Sequence, residues 1–270
     1  MSRPGRAATP PWSPPDKAEG PVMDLARLDA VIFDIDGVVT DTAHVHAGAW
    51  KRTFDSLLRR RAEQTGVPMR PFDIRNDYLR HVDGRPRMDG LRGFLASRGI
   101  TLSDGQDTDE AGLDSIHAMA KLKNTYFLDL LRRDGVNVFP STVEVVRELR
   151  RRGVRTAAVS ASRNAGQVLA AAGVTDLFEV RVDGQDSARL DLAGKPDPAM
   201  FLEAARRLDL PPDRVAVVED ALAGVQAGAR GGFAQVVGVD RGTQEDDLRR
   251  SGADTVVKDL SQLTLVGRSP

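Results

Sequence analysis

Residues Val31 to Thr42 read VIFDIDGVVTDT, an apolar run that ends on two aspartates one residue apart, followed by glycine. Its β-branched character marks a buried strand. A buried strand that ends in paired carboxylates is unfavourable unless something cationic stands beside them. Two carboxylates about 4 Å apart repel by roughly 4 kcal/mol at the effective dielectric usual near protein surfaces. A divalent cation removes that repulsion and leaves a carboxylate oxygen free to act on a bound phosphate. Read alone, the segment also admits a polar turn built on Asp36-Gly37; the rest of the chain argues against it.

The 270 residues, 41% of them hydrophobic, suffice for one large or two modest domains. A formal net charge of -1 argues against nucleic acid as the main partner. Without cysteine, disulfides, zinc–thiolate sites and cysteine nucleophiles are excluded. Residues 1–22 hold six of the 15 prolines and lack the apolar core of a signal peptide, so a disordered leader is expected there. No stretch approaches the ~18 apolar residues that would cross a bilayer. A soluble, cytoplasmic monomer without membrane or nucleic-acid partners is the expectation.

Five short apolar runs have the character of parallel strands: Ala30–Phe33, Val154–Val159, Phe178–Val182, Val215–Val218 and Phe233–Val239. Helical patterns separate most of them. Ser141 and Glu144 have capping-box spacing, with Arg150 to Gly153 marking that helix's end. Asp197-Pro198 reads as an N-cap and first-turn proline before a face of Met200, Phe201, Ala204 and Leu208. The alternation predicts an α/β fold, a doubly wound, mostly parallel, Rossmann-like sheet over residues 23–43 and 136–265. Residues 44–135 interrupt it. Trp50, Phe54, Leu57 and Leu58 form one helical stripe there, and another helix is expected from Glu110 to Arg133, so the interval reads as an all-helical cap over the first strand's end. The arginine runs 59–61 and 150–152 read as solvated helix ends.

Four polar clusters fall at predicted strand ends. They are Asp34 and Asp36 with Asp41 and Thr42; Ser160-Ala161-Ser162-Arg163-Asn164 before a helix; Lys195 within Gly194-Lys195-Pro196-Asp197-Pro198; and Glu219-Asp220. Singly, each has an ordinary explanation: the serines could be N-caps, Lys195 a solvated loop lysine, and Glu219-Asp220 a cap for the helix that carries Ala221, Gly224 and Gly228. Those explanations do not account for their convergence, because the strand ends of a parallel sheet share one edge. Four carboxylates meeting there need a cation, and a phosphate dianion beside them needs the lysine.

In this order and spacing the four segments resemble the haloacid dehalogenase superfamily of phosphotransferases. The resemblance implies Asp34 as the nucleophile, Asp36 as the general acid/base, and Ser160 and Lys195 as holders of the transferring phosphoryl group. It implies Mg²⁺ held by Asp34, the backbone carbonyl of Asp36, Glu219 and Asp220. FDIDGVVTDTAHVHAGAWK is further similar to the opening of beta-phosphoglucomutases, which adds His46 as a residue that aligns Asp36. Cap positions Gly84, Arg87, Lys123 and Asn124, with Thr42, Ala161, Ser162 and Asn164, match substrate- and phosphate-binding positions. Asp83 stands where that family commonly has lysine, and residues 67–77 have no counterpart in its shortest members. The implied activity is interconversion of beta-D-glucose 1-phosphate and glucose 6-phosphate through an aspartyl-phosphate and a sugar bisphosphate. A sugar-phosphate phosphatase on the same scaffold is the alternative, and a non-catalytic phosphosugar-binding protein a third reading.

Overall fold

The structure, a computed structural model, describes residues 20–269. The leader expected over residues 1–22 falls outside that range up to residue 19. Val22 opens a strand, β1 (Val22–Asp24).

Strand β2 (Ala30–Asp34) is buried along its whole length, as an apolar run in mid-sheet must be. It lies between β3 (Arg155–Val159) and β5 (Val215–Glu219), with β4 (Val180–Val182) outside β3 and β6 (Gln235–Val239) and β7 (Thr255–Val257) beyond β5. Every pairing is parallel. Strand β8 (Thr264–Val266) pairs with β1 as a separate two-stranded sheet that ties the two ends of the described chain together. Alternate residues of β2 serve opposite faces: Val31 and Phe33 enter one apolar cluster, Ala30 and Ile32 another. This is the doubly wound α/β architecture expected. Neither the short edge strand β7 nor the β1–β8 pair was anticipated, and the runs at Phe178 and Phe233 begin pairing two residues later than their apolar character suggests.

Between β2 and β3 the chain forms α1 (Ala43–Thr65), α2 (Asp77–His81), α3 (Arg87–Ser97) and α4 (Ile116–Asp134). These helices share a cluster of their own, in which Phe54 stacks on Trp50 and packs against Phe72 and Phe94. Helix α4 starts at Ile116 rather than Glu110, because the Ser115 hydroxyl accepts from the Ala118 amide and caps it there. The segment 67–77 is anchored by the buried carboxylate of Asp77, which pairs with Arg70 and Arg98.

The remaining helices, α5 (Pro140–Arg151), α6 (Ala165–Ala171), α7 (Gly184–Leu190), α8 (Ala199–Arg207), α9 (Leu222–Arg230) and α10 (Glu245–Arg250), accompany the sheet. The capping box expected at Ser141 does not form: Phe139 is the N-cap, and the Ser141 hydroxyl donates instead to Asp259 at 2.7 Å. At α8 the N-cap is Pro198, although the Asp197 carboxylate still accepts from the Ala199 amide at 2.9 Å. Arg152 is not solvated. Its guanidinium pairs with Glu148 and donates to the Leu265 carbonyl.

Candidate active site

The strand order reverses at β2, since the chain builds outward first through β3 and β4 and then through β5, β6 and β7. Ligands of open α/β sheets bind at such a switch point, beyond the carboxyl ends of the strands. Register supplies the detail. Asp34 pairs with Val159 and Phe33 with Val218, so Ser160 and Glu219 leave their strands on either side of Asp34. Gly37, at φ +100°, turns the chain immediately afterwards. A Cβ there would lie 1.8 Å from Asp220 Oδ2, so only glycine leaves room for that carboxylate.

Asp34, Glu219 and Asp220 each place a carboxylate oxygen within 4.8 Å of the others. Lys195, buried, donates to both Asp34 and Glu219. The second oxygen of Glu219 accepts from the Ala221 amide at 2.9 Å. Among the described residues, Asp34 Oδ2 has no protein donor, and neither does the Asp220 carboxylate. Burial, then Asp83, Glu219 and Asp34, push the Asp220 carboxyl well above the usual carboxylate range. Burial likewise raises Asp34, against the pull of Lys195 and with a push from Glu219. An all-oxygen donor set with acids in excess of the one lysine suits a hard divalent cation.

Asp36 faces the other way. Its Oδ1 accepts from the Thr42 hydroxyl at 2.5 Å and its Oδ2 from the Ser160 hydroxyl at 2.8 Å. His46 Nε2 stands 3.3 Å from Oδ1 without the alignment of a hydrogen bond. Burial opposes ionisation of Asp36, but His46 and the two hydroxyl donors outweigh it and hold the carboxyl far below the usual range. His46 Nδ1 is 2.8 Å from Lys123 Nζ, which lies between the rings of Trp50 and Phe127. Burial and then Arg87 hold the Lys123 ammonium well below an ordinary lysine. Burial and Lys123 depress His46 in turn.

One cavity of about 450 Å³ joins these groups. Asp34, Asp36, His46, Gly84, Arg87, Lys123, Ser160, Ala161, Ser162, Lys195, Glu219 and Asp220 line it. Thr42, Asn124 and Asn164 do not, and stand behind it: Thr42 supports Asp36, while Asn124 Oδ1 accepts from Arg87 Nη2 at 2.9 Å and from Asn164 Nδ2 at 2.8 Å. That shared oxygen links the helical cap to the sheet domain. Two glycines let the two parts meet closely, since a Cβ would lie 2.9 Å from Ala221 Cβ at Gly84 and 2.0 Å from Pro86 at Gly194.

Three residues in and around the site were not singled out from sequence. Arg163 lines the cavity and lowers Arg87, already depressed by burial, to about 10. Its place inside the Ser160–Asn164 cluster was the available signal. Tyr78 lines the same cavity from α2. Arg241, just beyond β6, donates from Nε to the Gly37 carbonyl at 2.7 Å and stacks on Phe139.

A parallel sheet whose first interior strand ends in the Asp34–Asp36 pair, with a helical insert after it, defines a class of phosphoryl-handling α/β enzymes. The family model for haloacid dehalogenase-like hydrolases matches residues 28–232, and the chain belongs to that family. It is 44% identical over 240 residues to the beta-phosphoglucomutase of Mycobacterium bovis, covering 88% of this chain and 92% of that protein. The crystal structure of a beta-phosphoglucomutase from Clostridium difficile superposes with a TM-score of 0.68 at 28% identity, over 88% of this chain and 93% of that one. A trehalose-phosphate phosphatase of Mycobacterium leprae is 42% identical over 127 residues, 46% of this chain and 28% of that protein. None of the described helices is long and apolar enough to cross a membrane.

Proposed function

We propose that this enzyme is a magnesium-dependent phosphomutase that interconverts beta-D-glucose 1-phosphate and glucose 6-phosphate. The observation that carries the reading is a single cavity with two unlike poles. At one, Asp34 stands beside Lys195, Glu219 and Asp220; at the other, Arg87 and Arg163 present cationic groups from the cap and from the loop after β3. A sugar bearing two phosphates needs both poles at once, and guanidinium forks suit the phosphate that is not reacting. The 44% identity with a beta-phosphoglucomutase supports the same substrate.

In this reading Mg²⁺ would be held by Asp34, Glu219, Asp220 and the backbone carbonyl of Asp36, and when bound it supplies neutralisation of phosphoryl charge. The free oxygen of Asp34 attacks phosphorus and forms the aspartyl-phosphate, while the bond from phosphorus to the sugar oxygen breaks. Asp36 gives the departing oxygen its proton. In the reverse half-reaction it takes the proton of the attacking sugar hydroxyl. The contacts from Thr42, Ser160 and His46 fix its aim, and the negative charge of a bound phosphate favours its protonated form. Lys195 and Ser160 position the transferring group. Arg87 and Arg163, with Asn124 and Asn164 behind them, hold the distal phosphate. Lys123 acts through His46. The bisphosphate intermediate turns end for end within the cavity before the phosphoryl group returns to Asp34.

The partial match to a trehalose-phosphate phosphatase favours a second reading, hydrolysis of a sugar phosphate by the same nucleophile. Phosphorus NMR separates the two. With beta-glucose 1-phosphate, Mg²⁺ and a trace of the bisphosphate, glucose 6-phosphate is the expected main product. Inorganic phosphate as the main product overturns the mutase. Asp36→Asn is expected to slow turnover by about 10²–10⁴-fold while leaving the protein folded. Unchanged steady-state turnover would refute its acid/base role.

A further inference from the structure

The cap carries one acid to the acidic end of the cavity that the mechanism above does not use. Asp83 lies between α2 and Gly84 and lines the cavity with Asp34, Glu219 and Asp220. The adjoining backbone fixes that placement. A Cβ on Gly84 would sit 2.9 Å from Ala221 Cβ, so the residue after Asp83 touches the residue after Asp220. Pro86 meets Gly194 as closely, beside Lys195. Glu219 is the charge that acts most strongly on Asp83, and Asp83 is the charge that acts most strongly on Asp220. Tyr78 lines the same wall of the cavity. The cap therefore brings a further carboxylate to the wall of the same cavity, outside the cluster that Asp34, Glu219 and Asp220 form within 4.8 Å of one another. The lysine that touches this cluster, Lys195, is already shared between Asp34 and Glu219.

We infer that Asp83 belongs to the surroundings of the divalent cation, contributed from the cap, and that cation binding and cap closure are for that reason mutually dependent. The inference rests on the cation site proposed above. Without the cation, closure drives the Asp83 charge onto Glu219 and Asp220, and like charges in a partly dehydrated site oppose it. With the cation present, the same carboxylate is attracted and closure is favoured. Linkage makes the effect reciprocal: whatever cation binding adds to closure, closure adds to cation affinity. Asp83 is thus a positioning residue, acting on where the cap rests rather than on the reacting atoms.

Asp83→Asn removes the charge and keeps the shape. The test is amide hydrogen exchange of a peptide spanning residues 84–87, in chelator and in Mg²⁺, with Mg²⁺ affinity measured separately by calorimetry. In the wild type, Mg²⁺ is expected to slow that exchange by about tenfold or more. In Asp83→Asn the segment is expected to be protected already in chelator, with less than about a twofold response to Mg²⁺ and a Kd for Mg²⁺ about fivefold to tenfold weaker. Wild-type exchange that ignores bound Mg²⁺, or a variant with the full wild-type response, overturns the inference and leaves the cation site standing. Absence of Mg²⁺ binding by calorimetry to the wild type removes both.

Discussion

Asp34→Asn is expected to abolish turnover, with a fall of about 10⁵-fold or more, and to leave no phosphoryl adduct detectable by intact-mass spectrometry. Geometry singles out Asp34 over Asp36. Both oxygens of Asp36 are already engaged, by Thr42 and Ser160. Asp34 gives one oxygen to Lys195 and keeps the other free toward the cavity. An oxygen without a donor is the better nucleophile, because no hydrogen bond has to be broken as it attacks. Asparagine has nearly the same shape and still accepts from Lys195, so the variant is expected to fold and to bind sugar phosphate. That separation matters: loss of activity with binding retained indicts the reacting oxygen alone. A wild-type-sized adduct on the variant would move the nucleophile elsewhere.

The α/β sheet and the position of Asp34 were legible in the sequence because they depend on local patterns, an apolar strand followed by a polar break. Ser160 and Glu219 were legible for the same reason, each lying at a strand end that topology carries to one edge; Lys195 lies instead in the loop between α7 and α8, beyond any strand end. What was not legible depends on packing between parts. Ser141 and Glu144 have the spacing of a capping box, yet the hydroxyl finds the more distant Asp259, and spacing cannot register that competition. Strand β7 spans three residues, Thr255–Val257, too few for an alternation pattern to stand out. Arg163 sits inside a motif whose small neighbours drew attention to themselves, and its relation to Arg87 exists only once the cap rests on the sheet. Asp83 reads in sequence as a departure from a pattern; in three dimensions it joins Asp34, Glu219 and Asp220 on the wall of one cavity.

Lys195→Met is the substitution with the largest expected effect on stability. The lysine is buried and bonded to two buried carboxylates. Methionine fills similar volume but leaves both acids without a counter-charge, and removing one partner of a buried ion pair costs about 3–5 kcal/mol. In a chain of this size that corresponds to a fall in Tm of about 10 °C. The loss should depend on pH with a definite sign. Asp34 already titrates above its usual range by burial, against the pull of Lys195, so deleting the lysine raises it further. A carboxyl whose folded pKa is raised favours the native state below its unfolded pKa near 3.9. That advantage is lost as pH rises toward the folded pKa. The Tm gap between variant and wild type should therefore be wider at pH 8 than at pH 5. Mg²⁺ should restore part of it at pH 8, since a cation among Asp34, Glu219 and Asp220 replaces the missing positive charge. Scanning calorimetry at both pH values, with and without Mg²⁺, measures all of this. A gap that is independent of pH and of Mg²⁺ would mean that Lys195 contributes packing alone and that these acids do not share a cation.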